Sequence, residues 1–513
     1  MFLLVASLGA ACKKQWDDRN KISDQQLNVN LMQQIQGNAD LSTFAGYVTK
    51  IGYDKLLSSS KTYTVWAPTN AALASMDPAV VADTAKLRLF VANHIANQAY
   101  ITSNAQPSLR IRTLNGKNVT FTATTVEDAN ITAPNQYVNN GVLHVISKAL
   151  TPKLNIYEYI KSLTTVGLLH KAYLQRQDTS FVDTTKATVA SIDPKTGKPI
   201  LVAGTGIVNK NKYFTKVGDL SNEDAQYTYF VLTDDAYNTE RNKVSKYFAT
   251  VTNSVDTTMN ILAGFNVLKD ALVDHVVLPA DLPPTLTSVN GVSIPIDKTA
   301  IVQTYNASNG IVYVVSKLNF NVAEKITPIV IQGESPSFFA RTDQNSKVNI
   351  RTRADLQQVK YTDMLITGSN LPSAFFAAYK LSNLYTCQYK VVIRAVNDTS
   401  ITHTPLASPT LGNMTEKVSF GQITAVPVNS GTITPVFAVT SAYFPITPYN
   451  YNEIPVTATN GTIVAGQTIN QVSGNLNVLK YSSINMYVQG AASTTTNLNN
   501  VLVDYVKLIP IIQ

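Results

Sequence analysis

The residues of this 513-residue chain that could do acid–base or metal chemistry are five histidines and 33 aspartates and glutamates. No histidine lies in an HExxH motif or a similar metal-binding spacing, so the sequence does not predict a zinc site. It also lacks a nucleophile elbow, a phosphate-binding loop and a dinucleotide-binding glycine motif. Carboxylate pairs for glycoside hydrolysis need only be close in space, so that chemistry stays open. We expect a protein without enzymatic activity.

His94 and His275 are the foremost histidines to consider, because each follows apolar residues at helical spacing. Each continues the apolar face of its predicted helix, so we expect both imidazoles to point inward. There they would hydrogen-bond the strand-to-helix turns at Thr69–Asn70 and Thr233–Asp234. Both histidines and the four turn residues are therefore predicted to have structural roles.

A proline-rich loop near the end of the chain carries Tyr443, Tyr449, Tyr451 and Asn452. Aromatic faces suit the C–H faces of sugar rings, and amides suit sugar hydroxyl groups. The loop therefore predicts a glycan-binding site. The alternative is a packed loop whose tyrosines cover a sheet edge.

The elements that must position these residues are repeated along the chain. Residues 63–73 and 227–237 each contain a β-rich run that ends in an aromatic residue and a Thr-Asn or Thr-Asp step. Side-chain oxygens at such a step accept N–H groups at the start of a helix. Three further pairs of blocks recur in the same order: 87–94 with 268–275, Asn115-Gly116 with Asn290-Gly291, and 140–148 with 309–317. Four matched pairs in one order indicate a duplicated domain.

The blocks TVWAPTNAA, LRLFVANHI, TLNGKNV and NGVLHVISKAL, in this order, resemble a fasciclin (FAS1) domain. The resemblance implies two α+β units, 28–152 and 154–323, each a wedge-shaped β-sandwich with helices packed on it. The second unit would carry an insertion at about 171–226. The family also implies extracellular adhesion or matrix contact and no general enzymatic activity. Its aromatic–histidine pair is linked to receptor adhesion, but Asn93 and Asp274 replace the aromatic residue here.

Residues 328–513 change in character, because helical periodicity fades and short β-rich runs alternate with Pro, Gly and Asn turns. We predict an all-β sandwich. Its ending, NVLVDYVKLIPI, resembles the last strand of galactose-binding-like jelly rolls, a fold common among carbohydrate-binding modules. In some of these sandwiches, carboxylates on the first and last strands hold a structural Ca²⁺. Glu334 and Asp504 are the corresponding candidates here, and no other cofactor is expected.

The beginning of the chain predicts export and a lipid anchor. Residues 2–11 form an apolar run that is too short to span a bilayer and fits a signal-peptide core. Small residues directly before Cys12 resemble a bacterial lipoprotein signal, which implies that Cys12 is lipidated and becomes the mature N-terminus, with residues 1–12 as the signal and lipobox segment. The alternative is an ordinary signal peptide with a bystander cysteine. Residues 13–27 would form a polar tether.

Composition fits a secreted, β-rich protein. Charged residues are only 14% of the chain, well below the usual ~25%, whereas hydrophobic residues reach 45%. The net charge of +8 is scattered, with its densest stretch between Lys186 and Lys216. Without an arginine-rich helix or a stacking-aromatic motif, we expect no nucleic-acid partner. Two cysteines, Cys12 and Cys387, do not indicate a disulfide framework.

Together these patterns predict a non-enzymatic, lipid-anchored protein of the outer membrane, exposed on the cell surface or on the periplasmic face. Its partner would be an extracellular glycan or a surface protein, bound in adhesion or glycan capture. Two alternatives stay open. One is an accessory subunit of an outer-membrane glycan-uptake complex, and the other is a glycan hydrolase with an unrecognised site.

Overall fold

The computed structural model describes residues 25–250, 256–355, 357–397, 413–425, 433–460, 468–495 and 498–513. The predicted leader, the proposed acylation site Cys12 and residues 13–24 of the predicted tether lie outside these ranges. Within them, no helix combines the length and hydropathy that a bilayer crossing requires.

The first unit consists of short helices packed on a seven-stranded sheet. Its helices are Leu31–Gln36, Ser42–Lys50, Asp54–Leu57, Asn70–Leu73, Pro78–Ala82 and Thr84–Ala92. Its strands are Tyr63–Pro68, Ile95–Ala96, Leu109–Arg112, Asn118–Phe121, Thr125–Val126, Ala129–Val138 and Gly141–Ile146. Each predicted block of the first unit therefore falls on an element or on the turn between two elements.

The strand Tyr63–Pro68 is buried at all six positions. It pairs antiparallel with Ile95–Ala96 and parallel with Gly141–Ile146, so both of its edges are occupied. Successive side chains of a strand point to opposite faces. Val65 accordingly packs into one apolar cluster and Trp66 into another, and the core of the unit lies on both sides of this strand.

An Asn-Gly pair fixes the start of the parallel pairing. A Cβ atom on Gly141 would lie 1.9 Å from the Tyr63 carbonyl oxygen, and its φ is +152°, so this position requires glycine. The Asn140 side chain accepts the Leu31 N–H at 2.8 Å and donates to the Leu57 carbonyl oxygen at 2.8 Å. The pair thereby ties the first helix to the central strands.

The second unit has the same central pairing around Tyr227–Leu232. A Cβ atom on Gly310 would lie 2.0 Å from the Tyr227 carbonyl oxygen, and φ of Gly310 is +148°. The Asn309 side chain accepts the Ile156 N–H at 2.9 Å and donates to the Leu220 carbonyl oxygen at 2.9 Å. These contacts reproduce those of the first unit, as a duplication predicts.

The remaining elements of the second unit surround that strand. Its helices are Ile156–Ser162, Leu168–Arg176, Lys212–Lys216, Asp234–Ser245, Thr257–Leu268 and Val322–Lys325. Its strands are Asp178–Val182, Val189–Ile192, Pro199–Leu201, Ile207–Asn211, Tyr227–Leu232, Leu272–Val273, Thr285–Thr287, Ser293–Pro295, Ile301–Ala307 and Gly310–Val315. Four of these strands, between residues 178 and 211, lie inside the predicted insertion and pair only with one another in the described sheets.

The predicted match of His94 with His275 is wrong by one helical turn. The Trp66 N–H donates to the His94 carbonyl oxygen, and the corresponding Phe230 N–H donates to that of Ala271, both at 2.9 Å. Ala271 is therefore the structural counterpart of His94. The apolar face of a helix repeats about every 3.6 residues. Moving the match between the two blocks by four residues therefore leaves their apolar pattern unchanged.

The two histidines have opposite environments. His94 is fully buried, and its Nε2 accepts the Leu150 N–H at 2.9 Å while its Nδ1–H donates to the Phe90 carbonyl oxygen at 2.9 Å. Burial lowers the pKa of His94 to about 4, so the ring is neutral at physiological pH. The predicted hydrogen bond from His94 to the Thr69–Asn70 turn is not formed. His275 does not point inward: its side chain is 62% exposed and lies 2.9 Å from Asp274.

The turn residues act at helix starts in both units. The Thr69 and Thr233 hydroxyl groups each accept the N–H group three residues later, at 3.2 and 3.3 Å. Asn70 and Asp234 each accept a backbone N–H from the first turn of a preceding helix, at 2.9 and 2.8 Å. Each Thr-Asn or Thr-Asp step thus satisfies two helix starts at once.

Residues 328–513 are rich in β-structure. Their strands are Ile329–Gln332, Phe338–Phe339, Val348–Ala354, Lys360–Ile366, Phe376–Leu384, Gln388–Arg394, Met414–Ala425, Thr434–Ser441, Phe444–Ile446, Ile454–Val456, Ala458–Asn460, Ile469–Val472, Asn475–Val478, Ser482–Gly490, Val501–Val503 and Tyr505–Ile511. They form sheets of six, seven and three strands.

Two long strands organise these sheets. Gln388–Arg394 pairs antiparallel with Tyr505–Ile511 in the six-stranded sheet, and Ser482–Gly490 lies between Phe376–Leu384 and Met414–Ala425 in the seven-stranded sheet. Residues from both sheets belong to one apolar cluster. The substantial β content predicted for this region is therefore present.

Direct contacts join the units. One Arg110 Nη donates to the carbonyl oxygens of Glu223, Ala225 and Ser308 in the second unit, at 2.6, 3.3 and 3.1 Å. Lys117 lies 2.8 Å from the Glu223 carboxylate, in a largely buried pair. The first two units therefore share a polar interface.

The second unit meets the β-rich region through backbone hydrogen bonds and aromatic rings. The Tyr481 N–H donates to the Ala249 carbonyl oxygen at 2.7 Å, and the Thr386 N–H donates to that of Tyr247 at 2.8 Å. The Phe248 ring packs against nearby tyrosine rings, with centroid distances of 5.5 and 5.4 Å. This junction fixes the β-rich region directly on the second unit.

Replacing His94 with Leu should destabilise the protein by about 1–3 kcal/mol, because the buried Leu150 N–H loses its acceptor. His275→Leu is the matched control and should change the free energy of unfolding by less than about 0.5 kcal/mol, since that side chain is exposed. Urea unfolding of both variants measures the difference. Equal losses of unfolding free energy in the two variants would contradict the burial of His94 and the exposure of His275.

Replacing Arg110 with Gln should weaken the contact between the first two units, because three carbonyl oxygens lose one shared donor. We expect a loss of about 1–3 kcal/mol and a broader thermal unfolding transition. The control is Arg112→Gln, which removes an exposed ion pair with Asp224 and should be nearly neutral. Differential scanning calorimetry distinguishes the two; an unchanged Arg110→Gln profile would show that the interface adds no stability.

Candidate ligand-binding site

The predicted tyrosine loop places aromatic side chains at the surface. Tyr443 is 38% exposed and Tyr449 is 49% exposed, whereas Tyr451 is half-buried and Asn452 is exposed. The Lys417 ammonium group lies 5.1 Å from the centre of the Tyr443 ring. Two of the three predicted tyrosines can therefore meet a ligand directly.

Tyr449 is held in an uncommon backbone conformation. Its φ is +59°, in the left-handed region that few side chains other than Asn and Asp adopt readily. Its N–H donates to the Asn397 carbonyl oxygen at 3.0 Å. This bond fixes the loop against the end of the strand Gln388–Arg394 while the ring faces outward.

Beneath this loop lies a group of charged and aromatic side chains, which we name the Arg394 cluster: Arg394, Asp355, Tyr361, Tyr451 and Asp504. The Arg394 guanidinium pairs with Asp504, and its Nε donates to the Tyr451 carbonyl oxygen at 3.1 Å. It also lies 4.4 Å above the Tyr361 ring and 3.9 Å from the Asp355 carboxylate. One arginine thus connects the predicted tyrosine loop to the predicted carboxylate Asp504.

Strand ends bring these residues together. Arg394 ends one strand and lies opposite Tyr505, so the Asp504 N–H donates to the Arg394 carbonyl oxygen at 2.9 Å. Glu334 follows Gly333, whose N–H donates to the Asp504 carbonyl oxygen at 2.6 Å. The two predicted carboxylates, Glu334 and Asp504, therefore meet at the same edge of the fold.

One of the two predicted Ca²⁺ ligands has a cationic side chain beside it. Asp504 is already paired with the Arg394 guanidinium, in a largely buried ion pair. In the parts of the chain that the structure describes, no three His, Cys, Asp or Glu side chains are grouped so as to hold a metal ion. Ca²⁺ binding by Glu334 and Asp504 therefore stays a prediction, and in this arrangement the cation beside Asp504 is the Arg394 side chain.

The cluster lies in a setting that disfavours negative charge. Burial raises the pKa of Asp504 to about 6, and the nearby carboxylates of Asp363 and Glu334 add to this, although Arg394 opposes it. Asp363 is itself buried and paired with Arg351 through two hydrogen bonds of 2.7 and 2.5 Å. The buried pairs of the cluster therefore form a rigid polar base beneath the tyrosine loop.

Sequence reasoning missed Arg394, Asp355 and Tyr361. Their positions are far apart in the chain, and no spacing signals that they meet. The nearby strand Val348–Ala354 gave a misleading signal: Arg351 and Arg353 alternate with Ile350 and Thr352, which predicts that the arginines face solvent. Both arginines are buried, and Ile350 is 53% exposed.

Two cavities lie in the first two units, away from the tyrosine loop. One of about 320 Å³ lies between the first and second units and is lined by Arg110, Glu127, Lys153 and Asn306 among others. The other, of about 500 Å³, lies beside the inserted strands and is lined by Tyr157, Lys161, Lys210 and Phe214 among others. Neither contains any of the residues predicted as ligand contacts.

Comparison with protein families gives one match, the Fasciclin domain model over residues 39–152. Residues 39–152 form a FAS1 domain. The FAS1 match begins within the first helices and ends after the strand Gly141–Ile146, so it contains the central strand and the Asn-Gly pair. No curated protein sequence matches the chain at a significant level.

Solved structures of low sequence identity are similar to parts of the chain. The FAS1 domain pair of the insect cell adhesion molecule fasciclin I matches at 16% identity and a TM-score of 0.22, covering 56% of this chain and 100% of that one. A Podospora anserina GH26–CBM35 β-(1,4)-mannanase matches at 13% identity, with TM-score 0.19 and coverages of 36% and 28%. The CBM36-1 domain of a multidomain xylanase from the hindgut metagenome of Trinervitermes trinervoides matches at 8% identity, with TM-score 0.18 and coverages of 36% and 98%.

The raised pKa of Asp504 predicts a defined pH dependence. The folded state holds the Asp504 proton up to about pH 6, whereas the unfolded state releases it near 3.8. Stability from this group is therefore present below pH 4 and is lost as the pH rises to 6. Melting temperature measured against pH checks this. The Asp504→Asn variant should lack the part of the decrease between pH 4 and pH 6 that Asp504 causes in the wild type.

The control for this measurement is Asp343→Asn. Asp343 also pairs with an arginine, Arg341, but hydrogen bonding from Arg341 lowers the pKa of its carboxyl group. Its removal should leave the slope between pH 4 and 6 intact. A slope that is the same in wild type and Asp504→Asn would contradict the assigned protonation of Asp504.

Proposed function

We propose that this protein is a non-enzymatic, lipid-anchored cell-surface protein that binds extracellular glycan or matrix. The observation that carries the proposal is the exposure of Tyr443 and Tyr449 on a loop that Arg394 holds through Tyr451, in a chain that also contains a FAS1 domain. Exposed aromatic faces next to fixed polar groups are the chemistry that recognises sugar rings. Acylation of Cys12 would hold the chain at the outer membrane.

The fold proposed for residues 328–513 is a jelly-roll-like sandwich. Support comes from the apolar cluster shared by the six-stranded and seven-stranded sheets, to which Val391 and Leu508 of the first sheet and Val418 and Met486 of the second belong. Two sheets packed through one core leave the loops at their ends free for binding. The tyrosine loop is one such loop.

The fasciclin-like units would serve as a spacer with adhesive surfaces. Arg110 links the first two units, and the Phe248 contacts link the second unit to the β-rich region. A spacer that resists bending transmits a pull on the ligand to the anchor without losing the position of the binding loop. The resemblance of both units to a family associated with adhesion is consistent with this role.

A glycan array probed with the full-length chain tests the proposal. Tyr443→Ala together with Tyr449→Asn should reduce glycan binding by at least about tenfold, because stacked aromatic contacts contribute about 1–3 kcal/mol each. Asn is chosen at position 449 because it tolerates the positive φ. The melting temperature should stay within about 2 °C of wild type.

The control is Tyr137→Ala, which removes a tyrosine of the first unit that is 45% exposed. It should bind glycans like the wild type. No glycan binding by the wild type, with co-purifying outer-membrane proteins, would favour the accessory subunit instead. Release of reducing sugar from a bound glycan would favour a hydrolase and would overturn the non-enzymatic assignment.

A further inference from the structure

The inserted strands of the second unit form a projecting ribbon, which we name the arm (residues 178–211). Large apolar side chains that the folded chain leaves exposed are concentrated on it: Phe181, Val182, Val189, Ile192, Ile200, Val202 and Ile207. Ile192 is 59% exposed and Ile207 is 55% exposed. Soluble proteins rarely leave such a group open to water unless it meets another surface.

Apolar side chains lie on both faces of the arm. Val182 pairs opposite Ile207, and the next pair along the ladder, Phe181 and Val208, points to the other side. Ile192 lies opposite Pro199, and Ile200 lies opposite Ser191 on the alternate face. A flat protein partner would cover one face of this ribbon and leave the other in water.

Lysines accompany these apolar residues. The arm has four lysines and three aspartates. Asp178 accepts the Tyr157 hydroxyl at 2.8 Å, Asp183 accepts the Thr185 N–H at 3.0 Å, and Asp193 accepts the Lys195 N–H at 2.9 Å. Each carboxylate of the arm is therefore hydrogen-bonded within the chain. The Lys210 ammonium group lies 5.0 Å above the Phe181 ring. The arm thus presents cationic and apolar groups together.

We propose that the arm is a membrane-contacting element that binds anionic lipid headgroups through its lysines and places its apolar side chains in the bilayer interface. The carboxylates of the arm are hydrogen-bonded within the chain, so its lysines are the charged groups that can meet a negatively charged surface. A lipid interface also surrounds an inserted ribbon and can receive apolar groups from both faces.

Binding to phosphatidylcholine vesicles, with and without phosphatidylglycerol, tests this proposal. Every sample is the full-length chain with Cys12→Ser, so that acylation is absent and the leader is constant. Ile192→Ser with Ile200→Ser should lower the partition coefficient on phosphatidylglycerol-containing vesicles by about tenfold. The double variant Lys195→Gln with Lys198→Gln should prefer phosphatidylglycerol-containing vesicles over pure phosphatidylcholine vesicles about tenfold less strongly than the parent does.

Matched controls use residues outside the arm. Val302→Ser with Val330→Ser changes two exposed valines, and Lys61→Gln with Lys86→Gln changes two exposed lysines of the first unit. Both pairs should bind vesicles like the Cys12→Ser parent. Circular dichroism and melting temperature confirm that each variant is folded.

The proposal is overturned if the parent binds both vesicle types equally or neither, or if the arm variants bind like the parent. A concentration-dependent dimer in light scattering that the arm variants abolish would assign the arm to a second copy instead. Glycan binding by the same variants should be unchanged. Failure of lipid binding is thereby distinguishable from failure of the proposed glycan-binding function.

Discussion

The structure depends on an Asn-Gly pair at the start of a buried parallel strand, which occurs once in each of the first two units. Gly141 and Gly310 let two backbones approach more closely than any Cβ atom would allow. The preceding Asn140 and Asn309 then supply three hydrogen bonds each to the first helix and to the loop before the central strand. Because an unpaired buried backbone group is costly, these amides hold in place segments that would otherwise have no partner there. The rest of each unit is arranged around that junction: the central strand, the helices it starts and the sheet it enters.

Sequence patterns located this junction as a pair of repeated blocks, 140–148 and 309–317, although they did not predict what its Asn-Gly pair does. An Asn-Gly step, a Thr-Asn step and a run of buried β-rich residues each constrain the backbone within a few residues, so their order could be recognised twice. The end of the helix Thr257–Leu268, just before the strand Leu272–Val273, was matched in the wrong register. Its apolar face repeats at nearly every turn, and a shift of four residues, which places His275 where Ala271 belongs, leaves that face unchanged. Only the hydrogen bonds of the neighbouring strand settle the register, and those are donated by Trp66 and Phe230, which lie 28 and 41 positions before their acceptors.

The Arg394 cluster shows the other limit of sequence reasoning. Tyr451 and Asp504 were both predicted as site residues, for unrelated ligands, and neither prediction anticipated that one arginine would bind both. Buried ion pairs form between residues that are distant in sequence, and a lone arginine at a strand end carries no signature. This pairing changes the chemistry that is available to Asp504. A carboxylate that would be open to a cation is instead paired with a guanidinium, and burial then raises its pKa to about 6.

The distribution of polar and apolar groups separates the chain into regions with different physical tasks. Between the units, polar groups are paired and buried, as with Lys117 and Glu223, which favours a fixed geometry over an exchanging one. At the tyrosine loop, aromatic rings are exposed above a rigid polar base, so a ligand would meet a surface that is already formed and would lose little by ordering it. On the arm, apolar and cationic groups are exposed on a thin ribbon with no such base. A ribbon of this kind gains most from a soft surface that adapts to it, whereas the tyrosine loop gains most from a ligand that fits it. The arm belongs to the second unit and the tyrosine loop to the β-rich region, so the two surfaces are connected through the Phe248 junction and not through the paired charges.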